Sequence, residues 1–326
     1  MNKKYTMAFI LLAMPYIFIQ PQETEGRLVS TFSIVARDSA AGELGIAVAS
    51  RFFAVGSVVP WAKADIGAVA TQSFANTSFG WRGLELLEKG NSPEEVLNSL
   101  LSNDDSPDSR QVGIVSADGR SFTYTGSKCI PWAGGRNGHN YAIQGNILTG
   151  ESVVTSMEET FLKTTGTLAD KLYAALLAGD AQGGDSRGKQ SAALIVVKEN
   201  AGYGGYTDRA IDIRVDDNAE PFKELGRLLE YAQMNYSWNE AWTLYTQNKS
   251  KEALPLMERT ARLAPENPEV LYDLVVIQLA SGEKDNALIT LEKAVLLNPK
   301  LKQQAIGDKA LDEIKNENKF KSLVND

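Results

Sequence analysis

From residue 31 onward the chain is organised as short apolar runs bounded by turn residues. T-F-S-I-V-A-R-D (31–38) and E-L-G-I-A-V-A-S (43–50) are two β-rich runs that flank S-A-A-G, a hairpin signal, and G-A-V-A-T-Q-S-F (67–74) is a third. Small residues and near-continuous apolarity in these runs predict a sheet covered on both faces. A helix is predicted over about 79–88, ended by Gly90. A second helix starts with Ser92 as N-cap, Pro93 at the first helical position and Glu94 and Glu95 in the first turn. Strands follow at 111–115 and 121–125, joined by Asp118-Gly119, and again at 140–148. Helices are expected over 151–163 and 167–179, then strands at 191–198 and 210–215. The order strands, two helices, strands, two helices, strands predicts sheets with helices outside them, a layered rather than a doubly wound arrangement.

From about Pro221 the pattern turns wholly helical and repeats. Trp238, Tyr245, Ala253 and Pro265 recur 34 residues later as Tyr272, Leu279, Ala287 and Pro299. K-E-A-L and D-N-A-L hold the same place in their units, as do L-A-P and L-N-P. That period with helix–turn–helix content is the tetratricopeptide signature. Alanines stand where two helices approach closely, and each proline closes a unit because it ends the second helix. Two units are short for an independent solenoid, which predicts that the block docks on the preceding domain.

The length of 326 residues suggests two domains. The expected division is a leader over 1–30, a mixed domain over 31–219 and a helical linker with repeats over 220–326. Hydrophobic content of 43% and charged content of 23% suit a globular core. A net charge of −8 argues against a nucleic-acid partner. The single cysteine, Cys129, excludes an intramolecular disulfide and reads as a buried apolar residue or a reactive thiol. The single histidine, His139, excludes a multi-histidine metal site. No ligand cluster, phosphate loop or dinucleotide motif is present, so no cofactor is expected. Lys3 and Lys4 precede the apolar run A-F-I-L-L-A-M-P-Y-I-F-I, which suits the core of a signal peptide and predicts export to the periplasm or beyond. An uncleaved membrane anchor is the other reading of the same segment.

Four places could carry chemistry. Thr31 opens the first strand, and a threonine that becomes the first residue is a nucleophile with its own α-amine as base; an ordinary strand threonine has the same sequence context. The loop G-G-D-S-R-G-K-Q-S-A-A-L carries Asp185, Arg187, Gln190 and Ser191 into an apolar strand, with Asp185 and Arg187 able to pair. In Tyr141-Ala142-Ile143-Gln144-Gly145-Asn146, Gln144 and Asn146 share one face, as site residues or as hydrogen-bonded core amides. In A-T-Q-S-F-A-N, backbone N–H groups at Gln72 and Ser73 could form an oxyanion hole. Lys63 lies beside Asp65, where an exposed ion pair is the plain expectation.

T-F-S-I-V-A-R-D, V-G-S-V-V-P-W-A, G-A-V-A-T-Q, Q-G-N-I-L and G-G-D-S-R-G-K-Q-S-A-A-L together resemble an uncharacterised bacterial family, the domain of unknown function numbered ten twenty-eight, placed in the N-terminal-nucleophile (Ntn) hydrolase superfamily. The resemblance spans about residues 31–217 and leaves out the repeats. It implies an α+β four-layer αββα sandwich, here followed by an all-α tetratricopeptide-like repeat domain. It also implies hydrolysis of amide or peptide-like bonds by an N-terminal residue, with Thr31 at the matching position. On this resemblance Lys63, by its distance along the chain from Thr31, would tune the nucleophile, Gln72 and Ser73 would supply oxyanion N–H groups, and Asn146, Asp185 and Ser191 would lie near the N-terminus. The sequence departs from the pattern at Arg27-Leu28-Val29-Ser30, which offers no clean processing site before Thr31. Two readings of function therefore stand. One is an exported threonine hydrolase of a small amide or peptide-like substrate, with homo-oligomers of its kind to be considered. The other is a non-catalytic ligand- or protein-binding module whose repeats form the interaction surface.

Overall fold

The protein is described from a computed structural model, which covers residues 31–325. The expected leader, its cleavage after Ser30 and the alternative anchor lie outside the described residues.

In chain order, β1 (Thr31–Asp38) and β2 (Glu43–Ser50) form the expected hairpin, turning through Gly42 at φ 69°. They are followed by β3 (Pro60–Lys63) and β4 (Gly67–Ser73), then α1 (Ser78–Glu88) and α2 (Pro93–Ser102). Ser92 caps α2 as its sequence foretold, and the structure adds a reciprocal capping box with Glu95. Next come β5 (Arg110–Ser116), β6 (Ser121–Thr125), β7 (Gly134–Gly138) and β8 (Tyr141–Asn146). The helices α3 (Ser152–Lys163) and α4 (Leu168–Ala181) precede β9 (Ser191–Val197) and β10 (Arg209–Val215). The remainder is helical: α5 (Pro221–Thr246), α6 (Ser250–Leu263), α7 (Pro268–Ala280), α8 (Lys284–Leu297), α9 (Leu301–Gly307) and α10 (Asn318–Asn325).

Two sheets result, a six-stranded one ordered β10-β9-β2-β1-β8-β7 and a four-stranded one ordered β3-β4-β5-β6. The named strand pairs are all antiparallel. Strand alternation sorts each strand into two faces. In β1, Phe32, Ile34 and Ala36 pack toward α3, α4 and the start of α5, whereas Val35 joins Ile46, Val48, Ala68, Ala70, Val115 and Ile195 between the sheets. Val69, Val112 and Ile114 of the smaller sheet face Phe79, Leu84, Val96 and Leu100 of α1 and α2. The near-continuous apolar strands are thus explained, since helices cover one face of each sheet and the other sheet covers the second.

Two strands escaped the sequence reading. β7 reads G-G-R-N-G and has no apolar periodicity; its pairing with β8, Gly134↔Gly145 through Gly138↔Tyr141, creates it. β3 has four residues and opens on a proline, tolerated because the strand lies at a sheet edge.

The helix α5 has 26 residues and takes part in two cores. Phe222, Leu225 and Leu229 pack on the six-stranded sheet's helical layer, while Ala241 packs with Ala253, Met257 and Val270. Ala253 and Ala287 are both fully buried, as close helix approach requires. Pro265 and Pro299 each stand two residues beyond the last residue of α6 and α8. Trp238 and Trp242 both donate their indole N–H to Asp273 Oδ2 at 2.7 Å.

Candidate functional site at the head of the first strand

The alternation that sends Val35 between the sheets also sends Thr31 and Ser33 there. The same face receives Ser50 from β2, Gln144 and Asn146 from β8, Ser191 from β9, Gln72 from β4 and Gln111 from β5, all of them buried. One end of the inter-sheet space is therefore filled by hydroxyls and amides.

These amides form one directed chain. Gln144 Nε2 donates to Ser33 Oγ at 2.6 Å, and Ser33 Oγ donates to Gln72 Oε1 at 2.6 Å. Gln72 Nε2 donates to Gln111 Oε1 at 2.9 Å and to the Thr31 carbonyl at 3.3 Å. Asn146 Nδ2 also donates to Gln111 Oε1, at 2.9 Å. Gln111 Nε2 in turn donates to the Gly145 carbonyl at 2.7 Å and to Thr125 Oγ1 at 2.9 Å. A buried amide without partners would cost about 1–3 kcal/mol, so the chain holds each member in one orientation. Gly113 is required beside it: a Cβ there would fall 1.9 Å from Gln144 Oε1.

Thr31 Oγ1 lies 3.4 Å from Ser50 Oγ, and Thr31 stands opposite Asn146 in the β1–β8 ladder. Asp185 accepts the Arg51 N–H at 2.9 Å and the Arg187 N–H at 3.0 Å. It also holds the Arg187 guanidinium in a fork at 3.1 and 2.8 Å, the pairing expected from the sequence. Ser191 stands opposite Ser50 and accepts the Val55 N–H at 3.2 Å, while its hydroxyl donates to the Phe52 carbonyl.

Of the residues singled out in the sequence, Thr31, Gln72, Asn146, Asp185 and Ser191 come together at this end, with Ser73 at the tip of β4. Lys63 does not. It pairs with Gly67, at the opposite end of β4 from Gln72, about 17 Å away at the rise of a strand. Its ammonium meets Glu88 at 2.7 Å, not Asp65, in a half-exposed pair. Linear distance from Thr31 misplaced it because β3 turns back at an edge of the second sheet. The oxyanion role expected of the Gln72 N–H also fails. Phe74 N–H donates to the Ser109 carbonyl at 3.3 Å, so antiparallel alternation makes Gln72↔Gln111 a hydrogen-bonded pair as well, and that N–H is used within the ladder. Ser73 leaves the extended region at φ 68°. Cys129 is buried as expected; burial raises its thiol, opposed by contacts with Ser73 and the Gly126 N–H.

Sequence reasoning missed Ser33, Ser50 and Gln111. The signal for Gln111 was present in Q-V-G-I-V, where it shares a face with Gly113 and Val115, but a lone polar residue at a strand's start has no meaning until its partners are known. Among the described residues no group of three or more His, Cys, Asp or Glu is placed to hold a metal ion, and no helix is long and apolar enough to cross a membrane.

Comparison with known proteins divides the chain in two. The model of a family of unknown function, DUF1028, matches residues 31–225, and a tetratricopeptide-repeat model matches residues 244–306. The crystal structure of protein SPO2555 from Silicibacter pomeroyi, named as a DUF1028 protein, superimposes with a TM-score of 0.57 and 29% identity, covering 63% of this chain and 89% of its own. No curated protein matches.

Proposed function

The chain belongs to the DUF1028 family of unknown function, and we propose that it is an exported Ntn-type hydrolase of amide or peptide-like bonds with Thr31 as nucleophile. The observation that carries the reading is the position of Thr31, at the head of a central strand with its hydroxyl facing Ser50 and its ladder partner Asn146 beside it. Two facing sheets with helices outside them support the Ntn fold assignment. The reading requires cleavage between Ser30 and Thr31, and the division of domains at about residue 219 belongs to the same proposal.

In the reaction, Thr31 Oγ attacks the amide carbon while its proton passes to the freed α-amine. The tetrahedral intermediate collapses as that proton goes to the leaving nitrogen, which departs as an amine and leaves an ester on Oγ. Water, deprotonated by the same amine, then hydrolyses the ester and restores Thr31. Asn146 is assigned to the oxyanion, a role that the Gln72 N–H cannot take. Ser50 orients the nucleophile, and Asp185 and Ser191 hold the surrounding loop and strand ends. An α-amine titrates near about 7.7–8.0, so kcat/KM should rise with pH through that range as the amine loses its proton.

The test is N-terminal sequencing of protein exported by its natural host, joined to hydrolysis of an acyl-anilide panel. Thr31 should be the first residue, Thr31→Ala should abolish turnover, and Thr31→Ser should retain part of it. An intact Ser30–Thr31 bond in all exported material overturns the reading. The second reading, a binding module, is favoured by the repeats, which suggest a protein partner; it would be supported by a partner retained equally by Thr31→Ala.

A further inference from the structure

The groove between α6 and α8 is left unfinished in a single copy of the chain. Its volume is about 570 Å³, with α7 as its floor. Leu271 and Leu274 line that floor beside Gln278, which is 5% exposed and whose Oε1 has no hydrogen-bond partner. A buried acceptor in that state is unfavourable until a donor reaches it. The rim is apolar where a solvent-facing helix should be polar: Ile289 is 59% exposed and Leu296 is 81% exposed. With Lys293 they stand at i, i+4 and i+7, on one face of α8.

The charges on the walls have no partners either. Glu258 and Arg262 line the groove from α6 and Lys293 lines it from α8, and none of the three makes an ion pair among the described residues. The carboxylate next to Lys293, Glu292, is held by Lys319 of α10 at 2.9 Å. The 34-residue period sets the two walls level with each other. One period carries Pro255 to Ile289, Glu258 to Glu292 beside Lys293, and Arg262 to Leu296. Pro255 is exposed, like Ile289.

We propose that this face joins two copies of the chain about a twofold axis running along the groove. Such an axis lays α6 of one copy over α8 of the other. Pro255 then covers Ile289 of the second copy, and Glu258 meets its Lys293. The aliphatic stem of Arg262 covers Leu296 while its guanidinium stays in water. Symmetry repeats each contact on the far side of the groove. Unpaired charges of both signs on opposite walls favour a second copy over a partner of one sign, because the surface then complements itself. Water trapped in the closed groove supplies the donor that Gln278 lacks. The proposal is independent of the hydrolase reading.

The experiment is sedimentation velocity on the full chain, with circular dichroism to show that each variant is folded. The parent should dimerise reversibly as its concentration rises through the micromolar range. Leu296→Asp, at a position too exposed to disturb the fold, should weaken dimerisation by about tenfold or more. Glu258→Lys and Lys293→Glu should each dissociate, since each sets like charges together twice in its own homodimer. An equimolar mixture of those two variants should recover the dimer, because every clash becomes an opposite pair. A parent that is monomeric at about 100 μM, whether the groove stays bare or takes another protein, overturns the proposal. So does a dimer that survives Leu296→Asp, and so do folded charge variants that fail to recombine.

Discussion

The space between the two sheets has two ends that share the same strands and the same spacing, yet are filled in opposite ways. Toward β3 and the β1–β2 turn it holds Val35, Leu44, Ile46, Ala68 and Val115, side chains that need only fit. Toward Thr31 it holds Ser33, Gln72, Gln111, Gln144 and Asn146, side chains that must also point correctly. The apolar end contributes stability through area removed from water. The amide end contributes little net stability and fixes orientation, because each misplaced group would be left buried without a partner. An interior that gives up apolar packing beside the first residue of a central strand marks where geometry matters most.

Substitutions can break this comparison. The largest expected effect is at the apolar end, where Ile46→Ala should lower unfolding free energy by about 2–5 kcal/mol in urea titrations, with the amide end and any Thr31-dependent turnover retained below the transition. Next is Gln111→Leu, which removes an acceptor shared by Gln72 and Asn146 while Gln72 Nε2 keeps the Thr31 carbonyl. It should cost about 1–3 kcal/mol and abolish any Thr31-dependent turnover even where the protein remains folded. Were Gln111→Leu to raise stability and keep activity, the amide end would be filling rather than machinery.

Smaller effects sharpen the comparison through pH. At the amide end, Asp104 holds Arg110 at 2.9 Å and Arg110 in turn reaches the Phe74 carbonyl, which fastens the exit of β4. Burial alone would raise the Asp104 carboxyl, but bonds from Arg110, Asn76 and the Ser106 N–H together lower it. A lowered folded value means stability present at neutral pH and lost as the carboxylate is protonated in acid. Asp104→Asn should therefore destabilise by about 1.5–3 kcal/mol at pH 7, with the difference from the parent shrinking toward pH 3 in thermal scans. At the opposite end Glu43 behaves in reverse. Burial raises its carboxyl, opposed by Lys198. Stability from this group is present at low pH and declines as pH rises through the raised value, so Glu43→Gln should flatten that decline, within about 1 kcal/mol.

Much of the architecture was legible in the residues. The N-cap at Ser92, the hairpin at Gly42, the helices before β9 and the repeat alanines Ala253 and Ala287 all rest on interactions within a few residues, or on a period carried by the chain itself. The alternation of Gln144 and Asn146 was equally legible. What failed was anything that needed a second strand. β7 has no pattern of its own, Lys63 was placed by counting along the chain, and the Gln72 N–H was offered to a ligand although β5 had taken it.

The one-dimensional order of residues determined which side chains face inward, where helices begin and end, and that a helical repeat follows a mixed domain, because those properties depend on local periodicity and local hydrogen bonding. Only the tertiary structure decided that Gln72, Gln111 and Gln144, from three strands in two sheets, would meet beside Thr31, and that Asp185 would bind the Arg51 N–H as well as the Arg187 guanidinium. Such meetings depend on how one sheet docks on another, and no local pattern encodes the partner of a buried amide.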